Sequence, residues 1–154
     1  MLRDLRLIAY LFVLLTSVSN LGCGPEISEE CTDYYAQPSY EREKAFRDYP
    51  VEKQLAIYRC AVRREPPELG LAYYIAERGE KNIPMLLDRL KGENDEPTKV
   101  GIIYIFELMS SKNYMRGRRD VIDQIKQVVS SMRYKVVREE AEESLKKIIK
   151  NSSM

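Results

Sequence analysis

Residues 83–90 read Ile-Pro-Met-Leu-Leu-Asp-Arg-Leu, and residues 97–103 read Pro-Thr-Lys-Val-Gly-Ile-Ile. In both stretches apolar side chains recur three or four positions apart, which is the spacing of one face of an α-helix. Residues 92–95 between them, Gly-Glu-Asn-Asp, are typical of a turn, and Pro97 suits the first turn of a helix. The stretch therefore predicts two antiparallel helices joined by a short turn, a helical hairpin.

The same pattern recurs on both sides of this hairpin. Val51 lies 32 positions before Ile83, and Leu87 lies 38 positions before Ile125, with the six additional residues in the loop around 113–119. Units of this length cannot bury their apolar faces alone and are stabilised by stacking on their neighbours. We therefore predict three helical hairpins, near residues 50–80, 82–113 and 120–150.

The rest of the chain contains no signal for a β-sheet. No long stretch alternates apolar and polar residues with the period of two that a strand requires. We predict an all-α domain over residues 41–150 and a frayed tail at 151–154. Residues 23–40 contain prolines and serines with little helical periodicity, and they predict a linker.

Two motifs in the predicted hairpins resemble those of HEAT repeats. The pattern I-P-x-L-L-x-x-L of residues 83–90 is frequent in the first helix of a HEAT unit, and Val-Arg-Glu-Glu-Ala at 137–141 matches the V-R-x-x-A start of a second helix. Residues 98–101 match that start loosely, with Gly101 where Ala is expected, and the first hairpin departs from it at Pro66-Pro67. The resemblance implies a short α-solenoid that acts as a protein-interaction scaffold.

The first residues predict an export signal. Arg3 and Arg6 precede an unbroken apolar run over residues 7–15, and small polar residues follow that run. The run is too short to span the ~30 Å hydrocarbon layer of a bilayer. We therefore interpret residues 1–22 as a signal peptide.

The end of this signal resembles the lipobox of bacterial lipoproteins, in which a cysteine becomes acylated. Gly22 and Cys23 match the motif, whereas Asn20 and Leu21 depart from the usual leucine and small residue. The resemblance implies lipidation of Cys23, a membrane anchor of acyl chains such as palmitate and, with Gly24 next, an outer-membrane lipoprotein that faces the periplasm. The alternative is cleavage after Ser19, which would release a soluble periplasmic or secreted protein.

Cleavage before Cys23 changes the charge balance. It removes 22 of the 154 residues and leaves 132, and the removed segment carries Arg3, Asp4 and Arg6. The remaining 23 basic and 23 acidic residues cancel, so the mature chain has a formal net charge of zero. We therefore expect membrane attachment through N-terminal acyl chains, of which several are needed for stable anchoring.

Two further cysteines remain after Cys23. Outside the cytoplasm, Cys31 and Cys60 can pair in a disulfide that fastens the segment before the first hairpin onto its first helix. The alternative is that Cys60 is a buried apolar residue and Cys31 a free thiol. A metal site is not predicted, because two cysteines without histidine supply only half of the usual zinc ligands.

The composition excludes several kinds of catalytic site. The chain has no His, so Ser-His-Asp and Cys-His catalysis are absent. No nucleophile–base pair and no Gly-rich phosphate loop occurs. We therefore expect no enzyme activity, no cofactor and no small-molecule substrate. The 25 basic and 24 acidic residues of the full chain, a net charge of +1, favour no nucleic-acid partner.

Two groups of residues are candidates for binding a partner. The second helices of the hairpins, near 67–78, 97–112 and 135–150, line the concave face in HEAT-like arrays, and we expect Tyr73 and Tyr104 to be exposed there. Tyrosine is common at protein interfaces. Arg116, Arg118 and Arg119 form a basic loop that suits an acidic partner or lipid headgroups, although such a loop is more often simply solvated.

The sequence therefore leads to one main functional hypothesis. The chain is an exported, lipid-anchored, non-enzymatic module that binds another protein of the bacterial cell envelope. One alternative is a pilotin-like or assembly-factor lipoprotein that escorts a secretion or outer-membrane component. A remote alternative is a HEAT-like lyase or an enzyme subunit.

Overall fold

The computed structural model describes residues 28–153. The predictions on the signal peptide and on lipidation of Cys23 lie outside the described residues. Within residues 28–153 no strand forms, and the prediction of an all-α fold is confirmed. Eight α-helices form in this part of the chain, with a 3₁₀ turn at Glu80–Asn82: α1 Glu29–Ala36, α2 Ser39–Asp48, α3 Val51–Ala61, α4 Leu71–Ala76, α5 Ile83–Gly92, α6 Glu96–Ser111, α7 Arg119–Ser130 and α8 Lys135–Ser152.

The linker prediction is wrong for residues 29–40, because α1 lies within them and α2 begins there. This segment lacks a regular apolar period, but Cys31 and Tyr34 are buried. The ring of Tyr34 meets Phe46 edge-on with ring centres 5.8 Å apart. These contacts with the rest of the protein stabilise a helix that the local sequence does not encode. The tail prediction is wrong as well, since α8 continues to Ser152.

The helices from α3 onward pack in pairs and in sequence order. α3 contacts α4, α5 contacts α6, and α7 contacts α8. The second helices of these pairs also contact each other, α4 on α6 and α6 on α8, and α5 packs on α7. α6 therefore lies at the centre. Its apolar segment between Val100 and Met109 supplies much of the core.

Gly101 allows α3 and α6 to approach closely. A Cβ atom at this position would lie 2.7 Å from Cγ1 of Val62 and 3.2 Å from the ring of Tyr58. The hydroxyl of Tyr58 donates a hydrogen bond to the Gly101 carbonyl oxygen at 3.3 Å. The departure from the HEAT pattern at this position therefore has a packing reason in this protein.

The acidic residues between α5 and α6 tie neighbouring pairs of helices together. Arg59 reaches the buried carboxylate of Glu93 at 3.2 Å, and Arg63 binds both carboxylate oxygens of Asp95 at 3.0 and 3.1 Å. Asp95 also caps α6, because its side chain accepts a hydrogen bond from the Thr98 backbone N–H at 2.9 Å. The end of α3 is thus fixed to the start of α6.

Glu96 makes the corresponding connection to the last pair of helices. Its buried carboxylate accepts hydrogen bonds from the backbone N–H groups of Arg133 and Tyr134 at 2.5 and 3.0 Å. These two residues immediately precede α8, so Glu96 fixes the start of α8 beside the start of α6. Together these two connections hold the end of α3 and the starts of α6 and α8 next to one another.

Candidate functional site

A concave surface lies where the starts of α6 and α8 face the segment 62–70. We call it the apolar groove. α4 begins only at Leu71, so residues 62–70 form a loop, and the first half of α6 faces this loop instead of a helix. The groove has a volume of about 210 Å³. The side chains that define it are Val62, Leu69, Val100, Tyr104, Val137 and Glu140.

Several apolar side chains at the groove reach solvent. Leu69 is 39% exposed, although leucine is usually buried. Val136, the chain neighbour of Val137 in the groove, is 76% exposed, and Tyr134 just before α8 is exposed too. Exposed apolar side chains close to a concave surface are typical of binding sites.

Glu140 is the acidic residue of the groove, and it makes no ion pair with any residue of 28–153. The other acidic residues of α8 are all ion-paired. Lys135 contacts Glu139, Arg138 contacts Glu142, and Lys147 contacts both Glu143 and Glu107. The groove therefore combines apolar walls with one exposed negative charge that no residue of the described segment pairs with.

The two tyrosines predicted for partner binding both lie on the second helices. Tyr73 is 46% exposed, as expected, and the ammonium of Lys112 lies 4.5 Å from its ring centre. Tyr104 is half-buried rather than exposed, because it packs against the core while lining the apolar groove. Tyr104 therefore belongs to the groove, whereas Tyr73 does not line it and contacts Lys112 just after α6.

The three arginines predicted for partner binding lie elsewhere. Arg116, Arg118 and Arg119 line a separate cavity between the start of α7 and the end of α8. Of the five predicted residues, one therefore lines the groove and three line this separate cavity, while Tyr73 lines neither. Leu69, Val137 and Glu140 in the groove were not predicted as site residues.

The signals for these missed residues differ. Val137 belongs to the V-R-x-x-A motif, which marks the start of a second helix and so could have indicated this position. Leu69 follows two prolines in a stretch without periodicity, and nothing in the sequence marks it as part of a binding surface.

The helix α1 supports one wall of the groove. The structure joins Cys31 in α1 to Cys60 in α3 as a disulfide, with Cα atoms 6.3 Å apart. The hydroxyl of Tyr35 donates a hydrogen bond to Glu68 at 3.0 Å, and Arg64 stacks 4.1 Å from the Tyr35 ring centre. Burial and the bond to the Glu68 carboxylate raise the pKa of Tyr35 well above its usual range, so the phenol stays protonated as a donor.

Other kinds of site are not apparent in the described part of the chain. Residues 28–153 contain no cluster of three or more potential ligands that could hold a metal ion. No helix among these residues has the length and hydropathy needed to cross a bilayer.

No protein-family model matches this chain, and neither a curated protein nor a solved structure shows significant similarity to it.

Proposed function

We propose that this protein is an exported, lipid-anchored, non-enzymatic interaction module of the bacterial cell envelope. Its three helical hairpins would form a short α-solenoid of the HEAT type. The proposal is supported by the order of the contacts, in which α4, α6 and α8 follow one another, and by the apolar groove on the side of these second helices. In such a stack, successive repeats create an extended surface for binding.

The groove would bind a segment of a partner protein that inserts an apolar side chain and presents a lysine or arginine to Glu140. The observation that carries this proposal is the Glu140 carboxylate beside apolar walls, without an ion pair among residues 28–153. The volume of about 210 Å³ is smaller than the roughly 300–1,000 Å³ of typical small-molecule sites. An anchoring side chain of a protein fits this space better than a metabolite does.

The proposed anchor would place the groove near the membrane. Five residue spacings separate Cys23 from Ser28, and they can span at most about 18 Å. Ser28 precedes α1, which the disulfide holds at the end of α3, two residues before Val62 in the groove. A lipidated Cys23 would therefore present the groove to proteins close to the bilayer surface.

Metabolic labelling with palmitate tests the anchor. We expect the wild-type chain to incorporate label, the Cys23→Ala variant to lose it, and the double variant Cys31→Ser/Cys60→Ser to keep it. Labelling that persists in Cys23→Ala would contradict lipidation at this position. Export without any labelling would instead support the soluble periplasmic or secreted form.

Site-specific photocrosslinking in intact cells tests the binding site. A photoreactive amino acid replaces Tyr104 in the groove, and a matched control replaces the exposed Asp88 on α5. We expect an adduct from position 104, absent from position 88, whose crosslinked peptide contains apolar residues and a lysine or arginine. The same adduct from both positions, or adducts only between copies of this chain, would contradict the proposal.

A further inference from the structure

A second concave surface lies at the opposite end of α6 from the groove. We call it the Arg pocket, defined by Arg116, Arg118, Arg119, Ile122, Lys126 and Ile149, and its volume is about 480 Å³. The loop after α6, the start of α7 and the last turns of α8 form its walls. α6 has 16 residues, so its two ends are separated by about 24 Å at 1.5 Å per residue.

The charges of this pocket are only partly balanced by the protein. Arg118 pairs with Glu80 at 3.0 Å, and Lys126 pairs with Asp123, the acidic residue of the pocket wall, at 2.9 Å. Arg116 and Arg119 are exposed and make no ion pair with any residue between 28 and 153. Two guanidinium groups are therefore available to a ligand, and guanidinium groups bind carboxylates with two parallel hydrogen bonds.

The pocket also offers apolar contact next to these charges. Ile149 on α8 is 38% exposed and lies in the wall together with the buried Ile122 of α7. A ligand that only carried negative charge would leave this apolar surface unused. Carboxylates beside an apolar side chain would use both features of the pocket.

We infer that the Arg pocket binds an acidic peptide segment that carries an apolar side chain, supplied by a protein other than the one at the groove. The carboxylates would bind Arg116 and Arg119, and the apolar side chain would pack on Ile149. This site is independent of the groove, so the chain would connect two partners.

A peptide suits this pocket better than a lipid surface does. An anionic membrane presents a continuous negative surface. It would meet Asp120, which is exposed on α7 outside the pocket lining, as well as the arginines. The pocket also lies at the end of α6 remote from the disulfide that holds α1, so an anchor at Cys23 would point it away from its own membrane. This second argument rests on the proposed function.

Fluorescence anisotropy with a labelled peptide of alternating aspartate and phenylalanine tests the inference. The purified protein should bind this peptide, and the same peptide with asparagine in place of aspartate should bind at least about tenfold more weakly. We expect Arg116→Ala/Arg119→Ala to weaken binding of the acidic peptide by about tenfold or more, and Arg119→Glu to weaken it further. The control Lys44→Ala/Arg89→Ala, which removes two exposed cations elsewhere, should bind as the wild type does.

The outcomes that would overturn the inference are distinct. Equal binding by wild type and Arg116→Ala/Arg119→Ala would show that the pocket is not the site. Binding to phosphatidylglycerol vesicles that depends on these two arginines, without binding of the peptide, would assign the pocket to lipid instead. The variant Val137→Asp in the groove should leave peptide binding unchanged, so failure of the proposed function at the groove is separable from failure here.

Discussion

The hydroxyl of Tyr35 donates a hydrogen bond at 3.0 Å to the carboxylate of Glu68, 33 positions later in the chain. Tyr35 lies in α1, and Glu68 lies between Pro67 and Leu69, which line the apolar groove. This bond links a segment before the hairpins to the surface that we propose for binding. The hydrogen bond that supports the wall of the groove can therefore be removed without changing the side chains that line the groove.

The variant Tyr35→Phe removes this bond while keeping the ring. We expect a loss of about 1 kcal/mol in the free energy of unfolding, because the bond is only partly buried. Hydrogen exchange of the backbone amides at residues 68–70 should become faster, while exchange in α7 stays unchanged. Unchanged exchange at 68–70 would show that α1 does not hold this wall.

Because α3 and α6 approach closely at Gly101, the changes Gly101→Ala and Gly92→Ala should affect stability differently. Gly101→Ala places a methyl group 2.7 Å from Val62, and we expect a loss of about 1–2 kcal/mol in the free energy of unfolding. Gly92→Ala has open space around its Cβ, so it should leave stability unchanged or raise it by about 0.5–1 kcal/mol through helix propensity. Urea denaturation measures both changes.

The variant Val62→Ala supplies a further control for this contact. In a protein that already carries Val62→Ala, the methyl group added by Gly101→Ala meets a smaller side chain. The loss in free energy of unfolding caused by Gly101→Ala should therefore be smaller than in the wild type. An equal cost in both backgrounds would place the strain somewhere other than the Val62 contact.

The sequence predicted the helical hairpins because their apolar residues follow the helical period. The segment from Val100 to Met109 is apolar almost throughout, and the structure buries Ile102, Ile103, Ile105 and Phe106 there. The sequence did not predict α1, which contacts Cys60 and Phe46 in other helices. Nor could it predict the groove, which arises because α4 begins late and leaves the loop 62–70 facing α6.

The burial of two acidic residues also could not be predicted from the local sequence. The run Glu93–Glu96 has the composition of a solvated loop, but Glu93 and Glu96 are buried. Their partners, Arg59 and the backbone of Arg133 and Tyr134, come from other pairs of helices. Pairings between groups about 35 positions apart are a property of the packed structure, and a local pattern does not contain them.

These contacts predict a loss of stability in acid. Burial alone would raise the pKa of Asp95, but hydrogen bonds from Arg63 and Thr98 outweigh it and hold the pKa below its ordinary value. The backbone N–H of Arg133 contributes most to lowering the pKa of Glu96. A carboxylate with a lowered pKa in the folded state stabilises the fold above its unfolded pKa of about 4, and this stabilisation is lost as pH falls through the folded value.

The variant Asp95→Asn tests this dependence. A carboxylate with a lowered pKa becomes protonated between about pH 5 and about pH 2. Over this range, the free energy of unfolding of Asp95→Asn should fall less steeply than that of the wild type. The exposed Asp88→Asn, which removes an acid without an ion pair in residues 28–153, is the matched control and should keep the wild-type slope. Identical slopes for Asp95→Asn and wild type would contradict the assigned role of Asp95.

Because a disulfide joins α1 to α3, a reductant should lower the stability of the protein. Cys31 and Cys60 are 29 positions apart, and a closed loop of this length stabilises a fold by about 3–4 kcal/mol in the chain-entropy model. We expect a reductant to lower the free energy of unfolding of the wild type by about this amount. The double variant Cys31→Ser/Cys60→Ser should show the lowered value with and without reductant, and a response of this variant would point to another cause.

Glu140, which has no ion pair among residues 28–153, would select the partner at the apolar groove through its negative charge. The most direct measurement is the yield of the adduct from the photoreactive residue at position 104 in cells that also carry Glu140→Lys. We predict a loss of about tenfold or more, and recovery when the lysine or arginine of the crosslinked partner segment is changed to glutamate. An unchanged yield in Glu140→Lys would contradict the account.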